Sequence, residues 1–421
     1  MSDQKHQYQV VMRYRYAKGR PAGFFGERIM QPLEGITILA FEHAIAAPFA
    51  SRQLAELGAR VIKVERPEIG DFARGYDTRV DGLASHFVWT NRSKESLALN
   101  IKHPEADNIL HRLLEKSDVL LQNLAPGAAA RLGLSFESLH AQYPQLIVCD
   151  ISGYGNDGPD KMRKAYDLLI QSESGFLSIT GTEGETAKAG ISIADIAAGM
   201  YAYTNILTAI IQRGKTGRGS HIDISMLEAM AEWMSYPMYY AYQGAPPPPR
   251  AGSSHATIFP YGAFPARDSK SVFIGLQNER EWAVFCEEIL SRKDLLEDSR
   301  FKGNSLRLEH KDDLTEIIVE VFSGIDSDDL INMLDEAGIA NARMNDMAGL
   351  WEHAQLKARD RWREVSTSAG LIPALRPPGG LDGMEPDMGA VPDVGEHSQT
   401  ILLELGYSAS EIDALAEAGA I

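Results

Sequence analysis

From Pro32 onward, short apolar runs alternate with amphipathic stretches. Ile36–Phe41, Val61–Glu65, Ser96–Ile101, Asp118–Leu124 and Leu146–Ile151 have the length and continuous apolar character of strands covered on both faces. Between them, Pro48–Leu57, Pro104–Lys116 and Phe136–Gln142 carry helical spacing. The Pro104–Lys116 segment puts Ile109, Leu110, Leu113 and Leu114 on one side, with a proline near its first turn. Strand, helix and strand in this order predict βαβ units with right-handed crossovers, and hence a parallel sheet. Ligands of such sheets bind beyond the carboxyl ends of the strands. Those ends carry His43, Glu65-Arg66, Asn123 and Ser152-Gly153-Tyr154-Gly155.

The pattern changes further along. Leu168–Leu177 and Ala194–Arg213 are predicted helical, Gly214–Gly219 a turn, His221–Ser225 a strand and Met226–Tyr242 a helix. The run Pro246–Pro249 cannot hold a helix and is the clearest linker. A smaller α+β region is expected after it. Its strand is Val272–Leu276, and its helices are Glu279–Leu290, Asp312–Phe322 and Ser327–Ala337. Gly379–Val394, rich in Gly, Pro and Asp, is expected to cross the surface, and Ser408–Ala418 to form a terminal helix capped by Ser408 or Ser410. The expected division is an extension (1–31), the first part of a large domain (32–243), a small domain (244–350), and a linker returning to the large domain (351–421). Residues 1–31 fit no unit. They read as an extension packing on a surface, with a targeting role or a start at Met30 as alternatives.

Composition narrows the class. Of 421 residues, 44% are apolar and 24% charged, the balance of a globular chain. A formal charge of −17 argues against a nucleic-acid binder, and requires the positive contacts to any anionic ligand to be local. No run approaches the ~18 apolar residues of a membrane span. Two cysteines, Cys149 and Cys286, make neither a disulfide framework nor a thiolate metal site. With an N-terminus that lacks the order of a secretion signal, the expected location is cytoplasmic.

Several chemistries are absent or weak. Gly153-x-Gly155-x-x-Gly158 follows a strand but runs into Pro159 rather than a helix, a poor dinucleotide fingerprint. Neither a P-loop, an H-x-x-x-H pair nor a G-x-S-x-G elbow occurs, and Cys149 sits inside an apolar strand. No metal site is expected. The informative segment is Gly190–Met200, where Asp195 stands alone among small and apolar residues at the start of a long helix. It reads either as a first-turn acid favoured by the helix dipole, or as a carboxylate nucleophile able to attack an acyl group.

The segments Pro32–Ile36, Pro48 through Glu65, Asn91-Arg92-Ser93-Lys94, Asn123–Gly127, Gly153–Pro159, Ala194-Asp195 with Gly199, and Lys215–Gly219 occur in the order seen in the class III CoA-transferases. The chain resembles that family, the formyl-CoA transferase-like group, from Pro32 to its end. The resemblance implies an α/β fold: a Rossmann-like parallel-sheet large domain, a smaller α+β domain, and an interlocked homodimer. It implies Asp195 as the catalytic residue, passing through a mixed anhydride and an aspartyl-CoA thioester. It implies CoA contacts at Ala44, Ile45, Ala46, Arg66, Asn123, Leu124, Arg131 and Tyr166, with Met226, His255 and Tyr261 as candidate pocket residues. The formyl-CoA member has glutamine where this chain has Ile45, which argues against formate or oxalate as substrates. CoA thioester is the implied co-substrate, and no metal or tightly bound cofactor is expected. CoA phosphates need cations, and Lys63, Arg66, Arg74, Arg92, Lys94 and Arg131 are candidates by position.

Two other readings stay open. The related α-methylacyl-CoA racemases use a His-Asp pair where this chain has Tyr166-Asp167, and tyrosine is a poor base near neutrality. A non-catalytic CoA-binding protein is the other. The loop after the proline run, Ser253–Gly262, resembles that of relatives acting on small dicarboxylic acids with succinyl-CoA as donor. Arg250, His255 or Arg280 are candidates for a distal carboxylate.

Overall fold

The computed structural model describes residues 30–421. All but the last two residues of the expected extension, 1–31, lie outside the described residues. Six parallel strands form the main sheet: β1 (Thr37–Phe41), β2 (Arg60–Glu65), β3 (Glu95–Ala98), β4 (Val119–Gln122), β5 (Ile147–Ser152) and β6 (His221–Ser225). Their order is β3-β2-β1-β4-β5-β6. Every neighbouring pair is parallel, with Ile38 beside Val61 on one side and Val119 on the other. This is the doubly wound order, with its reversal between β1 and β4. The α/β class and the Rossmann-like sheet are therefore as expected.

Helices cover both faces, which is why β1, β4 and β5 are mainly apolar, whereas the edge strand β6 alternates, with His221 and Asp223 exposed. One face packs under α1 (Ala46–Glu56) and the long helix Ile193–Thr216; Ile38, Ala40, Val119, Leu121, Ile147 and Cys149 point into it. The other packs under α2 (Ala106–Glu115), whose Ile109, Leu110, Leu113 and Leu114 are buried as one stripe. The same cluster takes Ile401, Leu402, Ile412 and Leu415 from the last helices, Ser398–Glu404 and Ala409–Glu417. Ser408 caps the final helix in a reciprocal box with Glu411.

A separate core surrounds a three-stranded antiparallel sheet of β7 (Tyr261–Pro265), β8 (Ser271–Gly275) and β9 (Ala340–Arg343). Phe285, Phe301, Leu314, Phe322 and Leu330 fill it. A hairpin of β10 (Trp362–Thr367) and β11 (Gly370–Leu375) follows, turning at Gly370 with φ 114°. Sequence pattern missed β7, β9 and this hairpin: β9 is too short to show a period, and Pro373 interrupts the apolar run of β11. The expected helix Met226–Tyr242 is broken into Met226–Trp233 and Ser235–Tyr240, because Pro237 has no N–H for the carbonyl of Trp233.

Candidate active site

The reversal of strand order leaves a crevice beyond the carboxyl ends of β1, β4 and β5. A cleft of about 1280 Å³ occupies it. Asn123 stitches the two diverging strands: its Oδ1 accepts from the His43 N–H at 2.9 Å and its Nδ2 donates to the His43 carbonyl at 2.9 Å.

Two further helices place the reactive carboxylate, α3 (Asp167–Glu173) and α4 (Ile193–Thr216). The N-cap of α4, Ser192, makes no side-chain capping bond. Asp167 supplies it from outside: its Oδ1 accepts from the N–H groups of Ala194 (2.8 Å) and Asp195 (3.3 Å). Gln171, fully buried, donates to Asp167 Oδ2 at 2.6 Å and accepts from the Ala189 N–H at 2.9 Å. Asp195 thus projects from a rigidly held first turn into the cleft. Among the described residues, no donor bonds its side-chain oxygens. Burial pushes its carboxyl up to about 7, and the Asp167 charge adds to the effect. Near neutrality it is therefore a more basic carboxylate than usual. The dipole of α4 favours the ionised form but does not outweigh the burial.

The opposite wall is the turn from β1 into α1. Ala44, Ile45 and Ala46 line the cleft there. Ala44 has φ 59°, and the N–H groups of Ile45, Ala46 and Ala47 meet no partner among the described residues. α1 and α4 approach closely because Gly199 has no side chain. A Cβ there would lie 2.6 Å from the Ala46 carbonyl oxygen. Gly153 similarly admits Ala165, whose Cβ would be 2.2 Å from an added one, and so lets the 153–165 loop fold back to present Tyr166.

Among the residues singled out from sequence, Asp195, Ala44, Ile45, Ala46, Asn123, Leu124, Tyr166 and Met226 line this cleft. Tyr166 is 69% exposed. Arg66 and Arg131 do not line it. The Arg66 guanidinium donates to the Gly70 carbonyl at 3.1 Å, and that of Arg131 lies beside Gly127. His255 and Tyr261 are stacked at 5.1 Å on the smaller unit, outside this cleft. Arg250 is engaged with the carbonyls of Thr182 and Glu183.

The expected cation set is corrected further. Lys63 and Lys94 are wholly buried, Lys63 against Asp71 (2.8 Å) and Lys94 against Glu42 (2.7 Å). Arg74 is forked onto Glu65, and Arg92 is buried on Glu56. None of these four is free for a phosphate. Their sequence positions fit a ligand role, but on β2 and in the segment between β2 and β3 the side chains point into the protein, where an unpaired charge is too costly. The cations lining the cleft are instead Arg163, Lys164 and Lys188. Arg163 is neutralised by Asp160 and Glu173, whereas Lys164 and Lys188 have no carboxylate partner among the described residues.

An aromatic wall also went unread in the sequence. His43 stacks on Phe72 (5.3 Å), which meets Tyr76 (5.9 Å), which meets His86 edge-on (5.6 Å). All four line the cleft, with Trp89. Burial, reinforced by the charges of Asp71 and Asp195, holds the Tyr76 phenol up at about 12, and burial holds His43 below its ordinary value. The spacing Phe72, Tyr76, His86 and Trp89 has no period of one element, since it spans a short turn and a separate helix. Only the folded loop brings it together.

No group of His, Cys, Asp and Glu among the described residues could hold a metal ion. No helix among them is long and apolar enough to cross a membrane.

A doubly wound sheet whose switch-point cleft holds one perturbed carboxylate is the architecture of an α/β enzyme acting on a small-molecule ligand. The profile of CoA-transferase family III matches residues 33–398, and the chain belongs to that family. It is a class III CoA-transferase, an enzyme class whose co-substrates are CoA thioesters. It is 32% identical over 408 residues to the human succinyl-CoA:glutarate CoA-transferase, covering 96% of this chain and 92% of that one. It is also 32% identical to the succinate–glutarate CoA-transferase of Agrobacterium fabrum, over 89% of this chain and 96% of that one. A CAIB/BAIF family protein from Brucella suis superposes with a TM-score of 0.80 at 32% identity, covering 89% of this chain and 99% of that one.

Proposed function

We propose that this enzyme moves CoA from succinyl-CoA to a small dicarboxylic acid, with Asp195 as the covalent carrier. The observation that carries this reading is the Asp195 carboxylate. Among the described residues no donor bonds it; burial raises it to about 7, and it is aimed into the switch-point cleft. The relatives that transfer between succinate and glutarate support the substrate class.

Asp195 attacks the thioester carbonyl, giving a mixed anhydride and CoA thiolate. The thiolate then attacks the aspartyl carbonyl, releasing the donor acid and leaving an aspartyl-CoA thioester. The acceptor carboxylate attacks that thioester, forming a second anhydride and freeing the thiolate again. Attack on the acceptor acyl carbon gives the new acyl-CoA and restores Asp195. No net proton is taken up or lost. The N–H groups of Ile45 and Ala46, which line the cleft and meet no partner among the described residues, are suited to the oxyanion, a role in which Ile45 needs no polar side chain. Ala44, Ile45, Ala46, Leu124 and Tyr166 bound the thioester, with Met226 behind it. Asn123 shapes the site by bridging β1 and β4, and Arg66 and Arg131 are left for the outer phosphates. Lys164 and Lys188, with no carboxylate partner among the described residues, supply positive charge for anionic substrates.

Racemisation is less well supported. Asp167, the position of a racemase base pair, is committed through both oxygens to α4 and Gln171. The homodimer implied by resemblance belongs to the same proposal. Trp233, Tyr236, Met238, Tyr239 and Tyr242 are exposed together after β6, a surface suited to a second copy. His255 and Tyr261 do not line the cleft of their own chain, and in this proposal they meet substrate at the cleft of the second copy. Sedimentation at micromolar concentration tests the dimer, which a monomer would refute.

The deciding experiment has two arms. Incubation with succinyl-CoA and hydroxylamine should place a hydroxamate on Asp195, found by peptide mass and absent in Asp195→Ala. A panel of dicarboxylates with succinyl-CoA should then identify the acceptor. Lack of any adduct would sink the covalent route, and lack of any acceptor would sink the substrate assignment.

A further inference from the structure

Under the cleft floor lies a group of charges for which the transfer chemistry has no direct use. Glu42, Lys63, Asp71 and Lys94 are all nearly or fully buried. Lys94 Nζ bonds Glu42 Oε1 at 2.7 Å and the Pro48 carbonyl at 3.0 Å, while Ser51 donates to Glu42 Oε2 at 2.6 Å. Lys63 Nζ lies 2.8 Å from Asp71 Oδ2 and 3.4 Å from Glu42 Oε1. Asp71 Oδ1 accepts from the Ala73 N–H at 2.9 Å and from the Ala44 N–H at 3.2 Å.

Burying four charges is costly unless each is paired, and an apolar cluster of the same volume would serve the fold as well or better. The placement is therefore informative. Glu42 is the last residue before His43, Ala44 opens the turn, and Pro48 lies in the first turn of α1. The network grips the turn at both ends. In its middle stands Ala44 at φ 59°, a conformation that a non-glycine residue holds only against its own preference. The Asp71 carboxylate is the group that bonds this residue's N–H.

We propose that Asp71 is a positioning residue of the transfer reaction: with Lys63 fixing its carboxylate, it locks Ala44 in the left-handed conformation and so aims the N–H groups of Ile45 and Ala46, which line the cleft, at the reacting carbonyl. This rests on the transferase reading above. Against its burial, the Lys63 charge and the backbone donors hold Asp71 ionised, below the usual carboxylate range.

Asp71→Asn removes the charge and leaves the shape. With succinyl-CoA as donor, kcat should fall about 10²-fold, the size of losing an oriented oxyanion donor or a misplacement of about 1 Å, while KM for the acyl-CoA stays within about threefold. The discriminating measurement is a double-mutant cycle with Ala44→Gly. Glycine takes φ 59° without being held, so Asp71→Asn should cost at least about fivefold less in the Ala44→Gly background. A merely structural Asp71 would give the same fold-loss in both backgrounds, and that result overturns the proposal, as does a loss confined to KM. Should Asp71→Asn not fold, the charge-neutral pair Lys63→Met with Asp71→Asn replaces it in both backgrounds. A kcat within twofold of wild type then overturns the proposal, and a loss of the same order supports it. Hydroxamate formation on wild-type Asp195 is measured alongside. Its absence would fault the transferase reading itself, whereas its presence with no Asp71 effect faults only the positioning role.

Discussion

Replacing Gly199 by alanine tests whether the spacing of α1 and α4 sets the reaction rate. The added Cβ would sit 2.6 Å from the Ala46 carbonyl oxygen and 3.0 Å from the Phe49 ring, where ordinary contact begins at 3.4 Å. The helices must therefore part by roughly 0.8 Å at the point where Ala46 faces the cleft. Asp195 lies one turn earlier on α4, so the shift falls between the nucleophile and the opposite wall. A displacement near 1 Å costs on the order of 10²-fold in rate, about 2.7 kcal/mol of barrier. Stability should change less: overpacking costs about 1–3 kcal/mol, and removing a helical glycine returns about 0.5–1 kcal/mol. Steady-state kcat and thermal melting are the two assays. Gly214→Ala is the control, because it lies on the same helix with open space around it. It should melt slightly higher and keep full activity. A Gly199→Ala enzyme with kcat within threefold of wild type would refute the reasoning.

The raised carboxyl of Asp195 predicts that kcat/KM climbs with pH to a plateau above about 7, because only the ionised form attacks. Asp167→Asn removes the neighbouring negative charge, and the midpoint of that profile should move to lower pH; an unmoved midpoint would contradict the coupling. The same shift affects folding. A carboxyl raised from 3.8 to about 7 destabilises the fold fully above pH 7, and not at all below about pH 4. Asp195→Asn should therefore stabilise the protein at pH 8 by on the order of 2 kcal/mol after discounting for partial exposure, with the gain vanishing by pH 4. Denaturant titration at the two pH values checks both size and sign. Burial raises both thiols, Cys149 well above its ordinary value and Cys286 to about 12. Iodoacetamide at pH 7.5 should thus leave the native enzyme unlabelled and fully active, and intact mass shows whether it does.

The sheet was legible in the sequence because β1, β4 and β5 are apolar runs with their own punctuation, while β6 shows itself by alternation. Ile36–Phe41 and Leu146–Ile151 are found within a residue or two of the observed β1 and β5. β3 is displaced to Glu95–Ala98 because Asn100 turns the chain before Ile101. Much of the cleft was legible too, since switch-point geometry names the residues just after β1, β4 and β5. Side-chain direction was not. Arg74 and Lys94 look alike as letters to any surface lysine or arginine, and only their carboxylate partners, Glu65 and Glu42, reveal that they are spent inside. Asp167 was likewise invisible as a cap, because it closes a helix that begins 26 residues later in the chain, at Ile193. Its capping is a contact of tertiary structure, and local pattern contains no trace of it.

The Ala420 carbonyl accepts a hydrogen bond from the Asn100 N–H, and the side chains from Ile401 to Leu415 complete the cover over β1, β2, β3 and α2. One half of the central core is thus made from the two ends of the polypeptide. During synthesis Leu97 and Leu120 of the sheet and Leu113 of α2 stay incompletely covered until residues 401–415 have been made. Contacts spanning some 300 residues make for slow closure and a long interval of exposure to aggregation. Removing residues 402–421 would spare every group in the cleft and still strip Leu402, Leu405, Ile412 and Leu415 from this core.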